Sequence, residues 1–214
     1  MGSVLLIAAC LRPTITCVGP LISEIGAETG MTQDQLGFLG ALPVLMFATV
    51  SPFVGHLGRA RGPESAVTVA LVCLALGTVI RSLGGSASLC VGTAVASAAI
   101  AVANVLSPTL VKRDFGRPAL GVALFTTCLS GAAALASGTT APLSQQFGGW
   151  REGLVVWAVL PALVLPVWVA RSSRLRGKTA IEPLDPAALF QVVRSPISWQ
   201  VAGFFGRSRC RSTR

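Results

Sequence analysis

Apolar and small residues run in long blocks along this chain, separated by short groups rich in charge, glycine and proline. The blocks fall at residues 4–22, 36–57, 66–83, 89–111, 119–143 and 154–170. Each approaches the roughly 20 residues that a helix needs to cross about 30 Å of hydrocarbon. Glycines and prolines inside several of them are tolerated in membrane helices, where neighbouring helices and hydroxyl side chains satisfy the freed backbone groups. The pattern predicts an all-α integral membrane protein with six transmembrane helices. Connections as short as Gly84-Gly85-Ser86 and Gly116-Arg117-Pro118 make successive helices antiparallel neighbours.

After the sixth block the pattern changes. Residues 171–196 are polar, with charges and prolines, and residues 187–193 have the spacing of a short amphipathic helix. An apolar run at 197–205 begins like a seventh span but stops at Gly206, too short to cross, and the chain closes on a basic tail. The expected organisation is a six-helix bundle over 1–170, a cytoplasmic linker over 171–196, and an aborted seventh span with a basic tail over 197–214. That ending is expected of a longer protein whose reading frame was lost near residues 203–207; a genuine basic tail on a six-span protein is the alternative.

Charge sharpens this picture. Of the 214 residues 52% are hydrophobic and 12% charged, against about 25% charged in soluble domains. The net charge of +9 does not point to nucleic acid, because the basic residues sit in small groups between apolar runs, without a basic helix or interleaved aromatics. Five of the six cysteines, Cys10, Cys17, Cys73, Cys90 and Cys128, lie inside apolar blocks, and no CxxC spacing occurs. With His56 the sole histidine, neither a metal site nor any cofactor is expected. The second, fourth and sixth connections carry Arg59, Arg61, Lys112, Arg113, Arg117, Arg171, Arg174, Arg176 and Lys178, whereas the other three carry only Arg81 and Arg151. By the positive-inside rule this bias predicts a cytoplasmic amino terminus in a multi-pass protein of the plasma (inner) membrane.

The candidate chemistry lies in the polar residues within spans. Arg12 interrupts the first block, roughly 13 Å from its cytoplasmic start at 1.5 Å per residue. A guanidinium at that depth costs at least ~2.5–3.5 kcal/mol and normally faces a cavity or a partner. All eight acidic residues lie at span ends or in connections, so a substrate is expected to supply the negative charge. On the same rise Asn104 comes at roughly 12 Å, Thr126 and Thr127 at roughly 11–12 Å, and Ser130 at roughly 17 Å. Arg12 and Thr16 share a helix face, as do Thr126 and Ser130, and Ser97 and Asn104. The predicted substrate-binding set is Arg12, Thr16, Asn104, Thr126, Thr127 and Ser130. The third and sixth spans, bulky and nearly free of polar side chains, read as lipid-facing. Paired carboxylates, phosphate loops and hydrolase motifs are missing from the sequence, which therefore gives no case for an enzyme.

Several stretches resemble one transporter family. Leu11-Arg12-Pro13-Thr14-Ile15-Thr16-Cys17-Val18-Gly19-Pro20-Leu21 resembles the opening of the cyanate/2-nitroimidazole branch of the major facilitator superfamily. Asn104-Val105-Leu106-Ser107-Pro108-Thr109-Leu110-Val111-Lys112-Arg113-Asp114-Phe115 resembles that branch's fourth span and its cytoplasmic exit. Gly149-Trp150-Arg151 is similar to the Gly-Trp-Arg that opens the sixth span more generally. The resemblance implies one half of a twelve-span fold, built as two inverted three-helix repeats, plus the start of a seventh span. It also implies a cytoplasmic gating loop at Gly55, Arg59, Arg61, Gly62, Lys112, Arg113 and Asp114. Arg59 there stands where the superfamily has an acid, and Ala60 where it has a base.

The resulting expectation is a secondary transporter of a small anionic or polar solute, working by alternating access and present as a truncated half. Its partners are the lipid bilayer, the solute and a missing carboxy-terminal half. Two other readings fit the same residues: an exporter of hydrophobic compounds with a purely structural Arg12, and a non-transporting membrane protein or inactive gene remnant.

Overall fold

Arg12 is where the first span breaks. Pro13 has no backbone N–H and its ring crowds the preceding turn, so the hydrogen-bond ladder of the predicted single helix is interrupted at Arg12 and again at Cys17, both still right-handed, dividing it into α1 (Gly2–Leu11), α2 (Pro13–Thr16) and α3 (Val18–Thr29). Five longer helices follow: α4 (Gln33–Arg61), α5 (Pro63–Ser82), α6 (Ser86–Asp114), α7 (Pro118–Phe147) and α8 (Trp150–Leu175). The computed structural model describes residues 2–175; residues 171–175, expected in the linker, continue α8, and the rest of the linker and the aborted seventh span lie outside the described residues. Within them no strand occurs, and six helical stretches have the length and apolarity to cross a membrane. All six predicted spans are present; each begins before its apolar block and five end beyond it, while α5 stops at Ser82, one residue short.

Helix ends follow the local chemistry. Thr32 and Gln35 form a capping box at the start of α4, the Gln35 N–H donating to Thr32 Oγ1 at 3.4 Å and the Thr32 N–H to Gln35 Oε1 at 3.0 Å. Proline opens α5 and α7, where its missing N–H costs nothing. Gly30 closes α3 at φ +67°, a left-handed conformation open to glycine.

Packing is tightest between α5 and α6. A Cβ on Gly77 would lie 2.7 Å from Ala96 N, and one on Gly92 would lie 2.6 Å from Gly77 O and collide with the Arg81 backbone. Two glycines thus let these helices touch backbone to backbone, the small-residue contact that membrane helices use in place of a hydrophobic drive. α5 also packs on α8, α4 on α6, and α1 on α7 and α8. The third and sixth spans, expected to face lipid, expose apolar side chains along one stripe: Val69, Val72, Leu76 and Val79 on α5, and Val155, Val159, Leu163 and Val167 on α8. Their opposite faces bury Leu71, Leu74 and Trp168. The second and fifth spans are the open ones, with 17% of each apolar window buried against 56% for the fourth. The second and fifth spans thus hold equivalent places in the two three-helix units.

Candidate functional site

The break in the first span leaves a cavity of about 330 Å³ beside it, lined from α2 and α3 by Thr14, Thr16 and Val18, from α5 by Arg81, and from α6 by Thr93 and Ser97. Arg81 is a correction to the charge count above. The sequence places it in an outward connection, but α5 continues to Ser82, and the side chain turns inward and is 1% exposed. Its Nη1 donates to Thr14 O at 2.6 Å and its Nη2 to Cys17 Sγ at 3.3 Å. Both acceptors belong to the broken span, so Arg81 bridges α5 to the point where that span loses its helical ladder. Its Nε has no partner, and no carboxylate pairs with it among the described residues.

Thr93 Oγ1, on the facing helix, is also buried without a partner. Elsewhere in the bundle buried hydroxyls bond back to their own helix, as Thr78 does to Leu74 O at 2.7 Å and Ser107 to Ala103 O at 2.6 Å. Ser97, one turn beyond Thr93, is 1% exposed and likewise makes no hydrogen bond among the described residues.

The basic connections meet at one end of the bundle in a paired network. Arg113 of α6 forms ion pairs with Glu64 at the start of α5 and with Asp114 Oδ1 at 3.2 Å. Asp114 also binds Arg171 of α8, whose Nη1 donates to Ser3 Oγ at 2.6 Å. The Arg171 guanidinium lies 4.8 Å from the Trp168 ring centroid, a cation–π contact. Trp168 Nε1 donates to Glu64 O at 3.2 Å. Four spans are joined here. At the opposite end Glu28 accepts from Trp150 Nε1 at 2.6 Å and pairs with Arg151 Nη1 at 2.6 Å, tying the first span to the sixth.

The sequence-predicted site residues distribute unevenly over these features. Thr16 lines the cavity, its hydroxyl donating to Arg12 O at 3.1 Å. Arg12 is exposed at the α1–α2 joint, and its side chain has no hydrogen bond or ion pair among the described residues. Asn104 is half-buried on α6 and equally unpartnered there. Thr126, Thr127 and Ser130 sit on the exposed face of α7, with Thr126 bonded to its own helix through Val122 O at 3.0 Å and Ala123 O at 2.9 Å. Arg12, Asn104, Thr126, Thr127 and Ser130 do not line the cavity.

Of the expected gating loop, Gly55 and Lys112 are exposed, and Gly62 joins α4 to α5 at φ +79°. Arg59 and Arg61 close α4, and their side chains lie outside the described residues. Arg113 and Asp114 belong to the paired network. Sequence reasoning missed Arg81, Thr93, Glu64 and Arg171 as site residues. Arg81 and Arg171 each had a signal, a cation beside a span end, but its partners are far away in sequence.

Comparison with known proteins agrees with this architecture. The family described as Major Facilitator Superfamily matches residues 4–208. The transporter YycB of Bacillus subtilis is 38% identical over 205 residues, which is 95% of this chain and 50% of that protein. A 2-nitroimidazole transporter of Escherichia coli is 34% identical, covering 96% of this chain and 52% of its own length. The cyanate transport protein CynX of Escherichia coli is 27% identical, covering 94% and 52%. The chain therefore spans about half the length of the curated relatives it matches. A crystal structure of the peptide transporter POT in complex with sulfate superposes with a TM-score of 0.66 at 18% identity, over 98% of this chain and 45% of that one.

Proposed function

Because the chain belongs to the Major Facilitator Superfamily, we propose that it forms the six-span half of a secondary transporter that carries a small anionic or polar solute by alternating access. The observation that carries this reading is Arg12, a permanent cation at a break in a membrane-spanning helix, exposed on the surface of this half and without a carboxylate partner among the described residues. Two relatives are described as transporters of cyanate and of 2-nitroimidazole, small solutes whose negative oxygens suit a guanidinium.

The open faces of α4 and α7 provide the surface on which a complementary six-helix half packs, with the solute held between the two near the midplane. Arg12, Thr16, Asn104 and the Thr126–Ser130 face of α7 contribute from this side. Gly55, Arg59, Arg61, Gly62, Lys112, Arg113 and Asp114 form the gate at the basic end, which is cytoplasmic by its loop charge. In the bacterial inner membrane the amino terminus then lies inside.

Flux of labelled cyanate and 2-nitroimidazole into proteoliposomes tests this. The 214-residue chain is reconstituted with the carboxy-terminal half of the Bacillus subtilis relative supplied as a separate polypeptide. Saturable uptake that falls at least tenfold in both Arg12→Ala and Arg12→Lys is expected, since a lysine point charge does not reproduce a bidentate contact. Saturable uptake at the unsubstituted rate in both variants would remove Arg12 from the site.

A further inference from the structure

We propose that the cavity beside the break in the first span binds a small monoanion, held by Arg81 together with Thr93 and Ser97. The inference takes its solute class from the transport reading above but places the anchor on a different arginine, inside this half.

Three observations converge. Arg81 is a cationic residue only 1% exposed. Its two acceptors, a peptide carbonyl and a thiol, are both neutral, and a thiol accepts weakly. The carboxylates of the broken span are engaged elsewhere: Glu28 with Trp150 and Arg151, Glu24 with the Ser144 hydroxyl at 3.5 Å. A buried charge in this position lacks the counter-charge that ordinarily offsets its desolvation.

The second observation is on the facing helix. Thr93 and Ser97, four residues apart on one face of α6, are 5% and 1% exposed. Neither donates to its own helix as Thr78, Ser107 and Thr140 do. The two hydroxyls hold donors uncommitted where the guanidinium also has N–H groups to spare.

The third is placement. The Gly77–Gly92 contact presses α5 onto α6 at backbone distance, with Arg81 one turn beyond Gly77 and Thr93 next to Gly92. All three polar side chains line the same cavity of about 330 Å³, a volume at the small end of ligand sites. Leu39, Pro43 and Val18 are among the apolar residues that line it, and apolar surroundings strengthen a charge-assisted hydrogen bond. One cation and two hydroxyls match one negative charge; a dianion would leave its second charge unmatched among apolar walls.

The alternative is that Arg81 only ties α5 to the Thr14 carbonyl. Thermal unfolding and calorimetric titration of the purified 214-residue chain with nitrate or acetate, exchanged for the dianion sulfate at fixed ionic strength, separate the two. A saturable stabilisation is expected. Thr93→Val and Ser97→Ala are each expected to weaken apparent affinity at least tenfold without lowering the anion-free melting temperature. These hydroxyl variants are used because Arg81→Gln also removes a helix tie and could fail to fold. No saturable response in the unsubstituted chain, or unchanged affinity in the Thr93→Val/Ser97→Ala double variant, overturns the site. A response lost in Arg12→Ala but kept in the double variant also overturns it, while leaving the Arg12 reading intact.

Discussion

Two arginines at different places in this bundle, one half-buried and one buried, have opposite surroundings. Arg171 meets Asp114, Ser3 and the face of Trp168, and through Asp114 shares a carboxylate with Arg113 and hence with Glu64. Arg81 is more deeply buried, yet meets only a carbonyl and a thiol. Arg171 has permanent counter-charge, whereas Arg81 ties two helices through neutral acceptors and keeps its Nε uncommitted. The paired end therefore works as a latch among four spans, and the unpaired cavity as a place for a ligand.

The most severe way to break the contrast is to separate the helices that position Arg81. Gly92→Val places a side chain against the Arg81 backbone and 2.6 Å from Gly77 O, where backbone on both sides prevents relaxation. A loss of roughly 3 kcal/mol or more is expected, measured as a fall in recoverable monodisperse protein and in melting temperature. The Glu64–Arg113 and Asp114–Arg171 pairs lie at the far ends of these helices from Gly92, so the substitution strikes the cavity end of the α5–α6 contact first.

The contrast is sharpened by making the paired end resemble the unpaired one. Asp114→Asn keeps the volume but removes the charge that Arg171 and Arg113 share. With Asp114 and Arg171 side chains only 13% and 15% exposed, a loss of about 2–3 kcal/mol is expected, smaller than for a fully dry pair because water still reaches both groups. Melting curves in detergent measure it, and restoring the acid as Asp114→Glu should recover part of the loss.

A change of opposite sign comes from the cavity. With no anion present, Thr93→Val removes a buried hydroxyl that has no partner, so a gain of about 1 kcal/mol is expected where a satisfied hydroxyl would give a loss. The same substitution at Thr78, which bonds to Leu74 O, serves as the reference and should destabilise.

How much of this was legible in the sequence depends on distance along the chain. The six spans were, because hydrocarbon thickness imposes a length on each apolar block whatever its neighbours. The break in the first span was foreshadowed by Arg12-Pro13, a cation followed by a residue without an N–H. The Arg81 contact was not, since Thr14 lies 67 residues away, and a basic residue next to a glycine-rich connection looks like a loop charge until the helix is seen to continue through it. The Gly77–Gly92 approach was equally hidden, because small residues abound in every span and only their mutual placement marks the tight pair. The Asp114–Arg171 latch spans 57 residues and depended on knowing that the third, fourth and sixth spans meet at one end.

The smallest effect belongs to an ion pair that looks like the latch and differs from it in solvent. Arg151 lies 4.9 Å from the Trp150 ring centroid and 2.6 Å from Glu28, the same combination of aromatic face and carboxylate that holds Arg171. Its side chain, however, is 40% exposed and that of Glu28 48%, so water screens the attraction and competes for both groups. Arg151→Gln is expected to cost no more than about 0.5 kcal/mol, with Glu28 still held by the Trp150 indole at 2.6 Å. A melting temperature within a degree or two of the unsubstituted chain, set beside a large fall for Asp114→Asn, would establish burial rather than contact geometry as what gives the latch its strength. Equal losses would mean that both ends are clamped alike, leaving Arg81 as a buried arginine without a carboxylate among the described residues.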